Sequence, residues 1–237
     1  RVREIKDKES YLKEQSVEIS DSCAVFCGGQ PVFSLSDVAF SVKDRVILNG
    51  VAFYILKGSR TVLFGENGCG KTTLLRLISR LEKPTRGVIL QNISGKFGQK
   101  SKQSKKWYKK VGVVYQNPDY QLFMPTVEKE IKFGAKSAEY ADEIAEKFGV
   151  KHLYVSHPQS LSEGQKRRVS IAAVVATAPE VLILDEPTNH LDDETKNALR
   201  DALISYPGNV LLVTHEASFY DGWTDRIFDV EQIRLSK

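Results

Sequence analysis

The chain has 237 residues, of which 41% are apolar and 27% are charged, a composition that excludes a disordered or fibrous protein. This length accommodates one sizeable domain with its own core. The net charge of +4 is too small to indicate a nucleic-acid partner, and no run of about 18 apolar residues indicates a membrane-spanning helix.

The first part of the chain is predicted to pass from a linker into β-strands. Residues 1–34 are charged and then rich in turn formers, which predicts an extension or linker before a domain over residues 35–237. Alternating apolar residues begin at Val32 and continue to Val42, and a second strand-like stretch covers residues 51–56.

A glycine-rich loop follows the short apolar run Arg60–Phe64. Residues 65–72 fit the pattern G-x-x-x-x-G-K-[ST], and a helical apolar stripe follows them and ends at Leu81. Glycines let backbone N–H groups surround an anion, and a helix N-terminus adds partial positive charge. The order of strand, loop and helix predicts a nucleotide site in which Lys71 contacts the β- and γ-phosphates and Thr72 ligates Mg²⁺.

Helical and strand patterns alternate in the second half of the chain. Apolar spacing predicts helices around residues 141–148 and 169–176. Two fully apolar strands, residues 181–184 and 210–213, flank a predicted helix over residues 192–204. This alternation predicts an α/β fold with a largely parallel buried sheet.

Two adjacent carboxylates, Asp185 and Glu186, end the first of these strands. The carboxyl ends of strands in an α/β sheet open onto the ligand crevice. The position therefore predicts that Asp185 holds Mg²⁺ and that Glu186 polarises the attacking water as a general base.

The segment Leu-Ser-Glu-Gly-Gln at residues 161–165 precedes a predicted helix. Ser162 and Gln165 fit a capping box, which satisfies backbone donors at a helix start. The same helix start, with Gly164 permitting close approach, also fits an anion site for a γ-phosphate. The residues alone leave both interpretations open.

Six motifs, taken together and in this order, resemble those of the nucleotide-binding domains of ABC ATPases over roughly residues 35–230. They are residues 65–72, Gln116, residues 161–165 (the signature), residues 184–186, residues 189–192 and His215. The resemblance implies a P-loop NTPase fold with a mainly parallel core sheet, an antiparallel β subdomain and a helical subdomain inserted at about residues 117–177.

The resemblance also implies roles for individual residues, with ATP and Mg²⁺ as cofactors. The implied catalytic residues are Glu186, His215, Gln116 and Lys71. The implied nucleotide-binding residues are Gly65, Glu66, Asn67, Gly68, Cys69, Gly70, Lys71, Thr72, Thr73, Ser162, Gly164 and Gln165. The implied Mg²⁺ residues are Thr72, Gln116 and Asp185, and residues 189–192 correspond to the D-loop.

In this family the signature of one subunit completes the phosphate loop, here residues 65–72, of another subunit. The resemblance therefore implies a second ATPase subunit in a head-to-tail dimer. Two positions depart from the family pattern. The aromatic residue that usually stacks on adenine aligns near Val42, which implies either weak adenine stacking or stacking by Phe40. Glu163 replaces the usual signature glycine, and an acid close to phosphate can slow hydrolysis.

Residues 115–123 and 125–127 look like the corresponding region of energy-coupling-factor and cobalt-type importer ATPases. The resemblance implies a subunit that powers import of a vitamin or metal ion from the inner, cytoplasmic face of the cell membrane. A transmembrane coupling subunit would then contact residues 119–123, and the ATPase would not contact the transported substrate.

A competing resemblance, to the soluble ABC-F proteins that act on ribosomes, comes from residues 185–192 and 206–213. The lysines at positions 96, 100, 102, 105, 106, 109 and 110 would then meet RNA phosphate. Such a run is more often a solvated surface, and ABC-F proteins carry two ABC domains. The importer interpretation is therefore favoured, and a nucleic-acid partner is not expected.

Overall fold

The computed structural model describes residues 31–91 and 110–231, and the boundaries of all elements refer to these ranges. The strands are β1 (Pro31–Val42), β2 (Arg45–Leu56), β3 (Arg60–Phe64), β4 (Arg86–Gln91), β5 (Val111–Val114), β6 (Val181–Asp185), β7 (Asn209–Val213) and β8 (Arg226–Asp229). The helices are α1 (Lys71–Ile78), α2 (Val127–Lys132), α3 (Ala138–Lys147), α4 (Glu163–Ala176), α5 (Asp193–Ile204) and α6 (Ala217–Tyr220).

A five-stranded parallel sheet with the order β5-β6-β7-β3-β8 forms the centre of the molecule. Every residue of β6 and β7 is buried, as expected for parallel strands that are covered on both faces. Val213 at the end of β7 is in register with both Asp185 and Leu63. The loops that follow β3, β6 and β7 therefore leave the sheet at the same edge.

A three-stranded antiparallel sheet with the order β2-β1-β4 packs over one apolar cluster together with α1. Strand β1 begins at Pro31, so the predicted boundary at residue 35 falls inside it; Val32 and Phe33 are buried in that cluster. Strand β2 begins at Arg45, earlier than the predicted start at residue 51, because it forms a hairpin with β1 in which Val42 pairs with Arg45.

Helix α1 buries Leu74, Leu77 and Ile78, as predicted, but it ends before Leu81. Arg80 adopts a left-handed φ of +60°, and the Leu81 N–H donates to the Arg76 carbonyl at 2.9 Å. This bond satisfies a carbonyl of the last turn and stops the helix. Placing Leu81 on the helical stripe was therefore wrong, and its side chain is exposed.

Helices α2, α3 and α4 are inserted between β5 and β6 and contact one another. The predicted apolar faces are buried at Ala141 and Ile144 on α3 and at Val169 and Ala172 on α4, whereas Ala173 is only partly buried. The predicted fold class, with parallel, antiparallel and helical parts, is confirmed. Within the described ranges, no helix has the length and apolar character needed to cross a membrane.

Candidate functional site

A cavity of about 420 Å³ opens at the edge where β3, β6 and β7 end. Its lining residues are Ile47, Asn67, Gly68, Gly70, Lys71, Thr72, Thr73, Gln116, Asp185, Glu186, Asn189 and His215. Most of these were predicted site residues. Three other predicted loop residues, Gly65, Glu66 and Cys69, do not line the cavity.

The loop between β3 and α1 forms one wall of the cavity. Gly70 lies at the N-cap of α1 with a φ of +101°, and a Cβ there would lie 2.7 Å from Leu48 Cδ2. Glycine therefore meets both a conformational and a steric requirement at this position. Lys71 is buried, and its Nζ donates to the carbonyls of Gly65 at 2.6 Å and Glu66 at 2.9 Å.

Asp185 ends β6 and faces the first turn of α1. Its Oδ2 accepts a hydrogen bond of 3.1 Å from Thr72 Oγ1, while its buried Oδ1 has no hydrogen-bond partner among the described residues. Burial raises the pKa of Asp185, and the nearby Glu186 charge adds to the rise, whereas the Thr72 hydrogen bond opposes it. A buried carboxylate oxygen without a partner is the environment that a hard cation relieves.

Glu186 follows in a left-handed conformation with φ of +46°, which is uncommon outside glycine. Its N–H donates to the Val213 carbonyl at 2.8 Å, which connects the end of β6 to the end of β7. Its side chain is almost buried, and Oε2 lies 2.9 Å from His215 Nδ1. A carboxylate oriented by an imidazole at the cavity wall can accept a proton from a bound water.

Sequence reasoning missed Arg167, a residue of α4 that is 2% exposed. Within the part of the chain that the structure describes, its guanidinium donates to backbone carbonyls alone, those of Tyr115, Gln116, Asp185, Glu186 and Pro187. Burial lowers the pKa of Arg167 to about 10, and the charges of Asp185 and Glu186 counteract part of this decrease. No local pattern marks it, because Arg167 is the middle one of three consecutive cations, Lys166 to Arg168, near the start of a predicted helix.

The predicted signature residues Ser162, Gly164 and Gln165 do not line this cavity. Ser162 Oγ accepts from the Gln165 N–H at 3.3 Å, and Gln165 Oε1 accepts from the Ser162 N–H at 3.0 Å, so they form the predicted capping box. Gly164 packs closely enough that a Cβ would lie 3.0 Å from the His190 carbonyl. Glu163 lies 3.3 Å from Lys166 Nζ.

The sequence left open which residue contacts the adenine base of ATP. The candidate residues lie in the β1–β2 hairpin. Phe40, the aromatic candidate, packs against the apolar cluster beneath the antiparallel sheet. Val42 is exposed at the end of β1, and Ile47 of β2 lines the cavity beside the loop. The aliphatic side chain of Ile47 therefore lies at this side of the cavity.

Comparisons with known proteins identify the chain's family. Residues 48–189 match the ABC transporter family model. The chain is 39% identical over 184 residues to a putative ABC transporter ATP-binding protein of Archaeoglobus fulgidus, covering 74% of this chain and 76% of that protein. It is 37% identical over 203 residues to the energy-coupling factor transporter ATP-binding protein EcfA2 of Halalkalibacterium halodurans, covering 80% and 72%.

A solved structure is similar over the same region. CbiO1 of Clostridium perfringens, described as part of the ABC transporter complex cbiONQ, is 30% identical with a TM-score of 0.71, and the match covers 84% of each chain. Together with the family match and the cavity geometry, these similarities establish that the chain belongs to the ABC transporter family and carries its ATP-binding, ATP-hydrolysing domain.

Proposed function

We propose that this chain is the ATP-hydrolysing subunit that powers a membrane importer for a vitamin or metal ion. The ATP-hydrolysing part of the proposal rests on the convergence of Lys71, Asp185 and the Glu186–His215 pair on one cavity at the carboxyl edge of the sheet. The names of the relatives support the importer class, because EcfA2 is an energy-coupling factor subunit and CbiO1 is part of a transporter complex.

Each cavity residue has a proposed role that follows from its surroundings. Lys71 exchanges its bonds with the Gly65 and Glu66 carbonyls for the β- and γ-phosphates of ATP, so its charge meets the phosphate charge in a buried position. Glu186 accepts a proton from the attacking water, while His215 holds Oε2 and orients the carboxylate. Gln116, which also lines the cavity, contacts the metal or the water.

The donor set at the end of β6 fits Mg²⁺. Asp185 Oδ1 is buried without a hydrogen-bond partner among the described residues, and the Thr72 hydroxyl lies beside Oδ2. Magnesium prefers oxygen ligands, which these two residues and Gln116 provide. When bound, Mg²⁺ would neutralise charge on the phosphate oxygens.

We further propose that Ser162 and Gly164 act on ATP held by a second ATPase subunit in a head-to-tail dimer. Both lie at the start of α4, outside the chain's own cavity. A helix N-terminus attracts an anion through its N–H groups and dipole. The Ser162 hydroxyl serves the cap in the single chain and can also reach a phosphate that approaches from outside.

Exposed aromatic residues support a membrane partner. They lie in or next to residues 119–123, the segment predicted to contact a transmembrane subunit. Tyr120 is 80% exposed and Phe123 is 67% exposed, and Phe123 contacts the exposed ring of Phe133 edge to face with centroids 5.4 Å apart. Such grouped apolar exposure is typical of a protein interface. We assign it to the transmembrane coupling subunit, which would keep this chain at the cytoplasmic face without contact with the transported substrate.

The test uses the full chain with Glu186→Gln as an ATP-locked bait in cells, followed by mass spectrometry of the retained proteins. Recovery of a membrane subunit and a second ATPase is the expected result, whereas recovery of ribosomes would replace the importer with the ABC-F class. Adding Lys71→Ala to the bait controls for dependence on ATP. Adding Phe123→Asp instead is expected to lose the membrane subunit and to keep the second ATPase.

A further inference from the structure

The guanidinium of Arg167 makes one hydrogen bond for each of its five N–H groups. Nε donates to the Pro187 carbonyl at 3.2 Å, and Nη2 donates to the carbonyls of Asp185 at 2.7 Å and Glu186 at 2.5 Å. Nη1 donates to the Gln116 carbonyl at 3.1 Å and to the Tyr115 carbonyl. Five donors in a planar fork are therefore matched by five acceptors, which no other side chain reproduces.

These five carbonyls belong to two separate segments that both reach the cavity. One follows β5 and includes Gln116, and the other is the end of β6 and the turn that includes Glu186. Arg167 itself belongs to α4, which begins one residue after Ser162. A single side chain thus connects the start of α4 with the peptides of three cavity residues, Gln116, Asp185 and Glu186.

The Glu186 backbone needs such support. Its φ of +46° is unfavourable for a residue with a Cβ and persists only where the surroundings hold it. The N–H of Glu186 is held by the Val213 carbonyl, and its own carbonyl is held by Arg167. The two bonds fix the peptides on both sides of the carboxylate that contacts His215.

We propose that Arg167 is a positioning residue that sets Glu186 and Gln116 relative to each other and makes their placement follow movements of α4. Among the described residues, none of its hydrogen bonds goes to residues 65–72, and the side chain does not line the cavity. It acts on the chemistry through Glu186, so the inference rests on the proposed role of Glu186 as the base. A shift of about 1 Å in a catalytic group can cost 100-fold in rate.

The test compares Arg167→Lys and Arg167→Gln in the full chain, each alone and combined with Glu186→Gln. Lysine keeps the charge but has three donors on one nitrogen, so it cannot span both segments. We expect kcat to fall at least tenfold while KM for ATP changes less than threefold. In the Glu186→Gln background the same substitutions are expected to lower the residual turnover less than threefold, because the group they position is already lost.

Arg60 provides the matched control. It also donates to backbone carbonyls, those of Gly58, Ile204 and Tyr206, but it lies at the opposite end of β3 from the cavity. Arg60→Lys is expected to lower thermal stability and to keep kcat within twofold of the unmodified chain. Its effect on kcat is expected to be the same with and without Glu186→Gln.

The inference would be overturned if the Arg167 substitutions lowered kcat by the same factor in both backgrounds. It would also be overturned if they changed KM for ATP and left kcat unchanged. Failure of both variants to reach a folded, ATP-binding state would assign Arg167 to stability alone and would overturn it as well. If Glu186→Gln by itself left turnover unchanged, the proposed base would fail. If Glu186→Gln stopped turnover and Arg167→Lys did not, only the role of Arg167 would fail.

Discussion

Two adjacent acids at the end of β6 have different surroundings. Asp185 is buried against Thr72 at the start of α1, whereas Glu186 turns towards His215 through an unusual backbone conformation. Environments that separate neighbouring carboxylates in this way allow them to take different tasks. The division proposed for metal binding and proton transfer follows from these surroundings.

The raised pKa of Asp185 predicts a stability cost at neutral pH. The folded state holds the carboxyl proton of Asp185 more tightly than the unfolded state does. The free energy of unfolding therefore falls as the pH rises from the ordinary pKa of 3.8 through the raised pKa of the folded state. Asp185→Asn is therefore expected to raise the free energy of unfolding at pH 7 in EDTA by about 0.5–2 kcal/mol. The same substitution is expected to abolish Mg²⁺-dependent turnover.

Chemical denaturation at pH 7 and near pH 3.5 checks this prediction. The gain is expected to shrink at the lower pH, where Asp185 is largely protonated in both states. The exposed Asp44 of the β1–β2 hairpin supplies the control, since Asp44→Asn is expected to change neither stability nor turnover. A loss of stability in Asp185→Asn at pH 7 would contradict the prediction.

At the residue scale, local chemistry was predictable and long-range contacts were not. The loop at residues 65–72 carries its glycines, lysine and threonine in one contiguous pattern, so its place at a cavity followed from sequence. Arg167 contacts carbonyls 18 to 52 residues away along the chain, and Ile47 reaches the cavity through the folding of a separate sheet. Neither relation leaves a local pattern.

At the element scale, the start of α4 has one observed role and one proposed role, which can be separated. Ser162 caps the helix, and the proposed dimer gives the same hydroxyl a phosphate contact in the partner subunit's ATP site. Aspartate is as good an N-cap as serine, but its charge opposes a phosphate. The cap can therefore be kept while the proposed contact is removed.

Ser162→Asp is expected to keep the free energy of unfolding within about 0.5 kcal/mol of the unmodified chain. Turnover of ATP is expected to fall at least tenfold because the aspartate repels the phosphate. Ser137 caps α3 in the same manner through a 3.1 Å bond from the Tyr140 N–H, so Ser137→Asp is the control with unchanged turnover. Unchanged turnover in Ser162→Asp would leave the serine with capping alone.

The boundaries of elements were predictable where burial is continuous. The apolar runs of β6 and β7 lie within one residue of their predicted ranges because both strands are covered on both faces. The end of α1 depends instead on the left-handed Arg80, a conformation that no local sequence pattern specified. The start of β2 depends on pairing with β1, which is a tertiary contact.

At the scale of the whole molecule, the residues proposed for the two halves of an ATP site lie in two different places on one chain. The phosphate loop, the acids and His215 meet at the cavity, while Ser162 and Gly164 lie elsewhere on the surface. The fold class was predictable because the order of strands and helices specifies a covered parallel sheet. The partner subunits were predicted from the family resemblance alone, and the exposure of Tyr120 and Phe123 does not by itself identify the partner that covers them.

The central claim is that this cavity hydrolyses ATP with Glu186 as the general base. The most direct measurement compares the Mg²⁺-dependent turnover and ATP affinity of the purified chain with those of Glu186→Gln. We expect Glu186→Gln to keep ATP affinity within about threefold and to lower turnover at least about 100-fold, the scale of a lost general base. Turnover close to the unmodified rate in Glu186→Gln, in a sample free of contaminating ATPases, would contradict it.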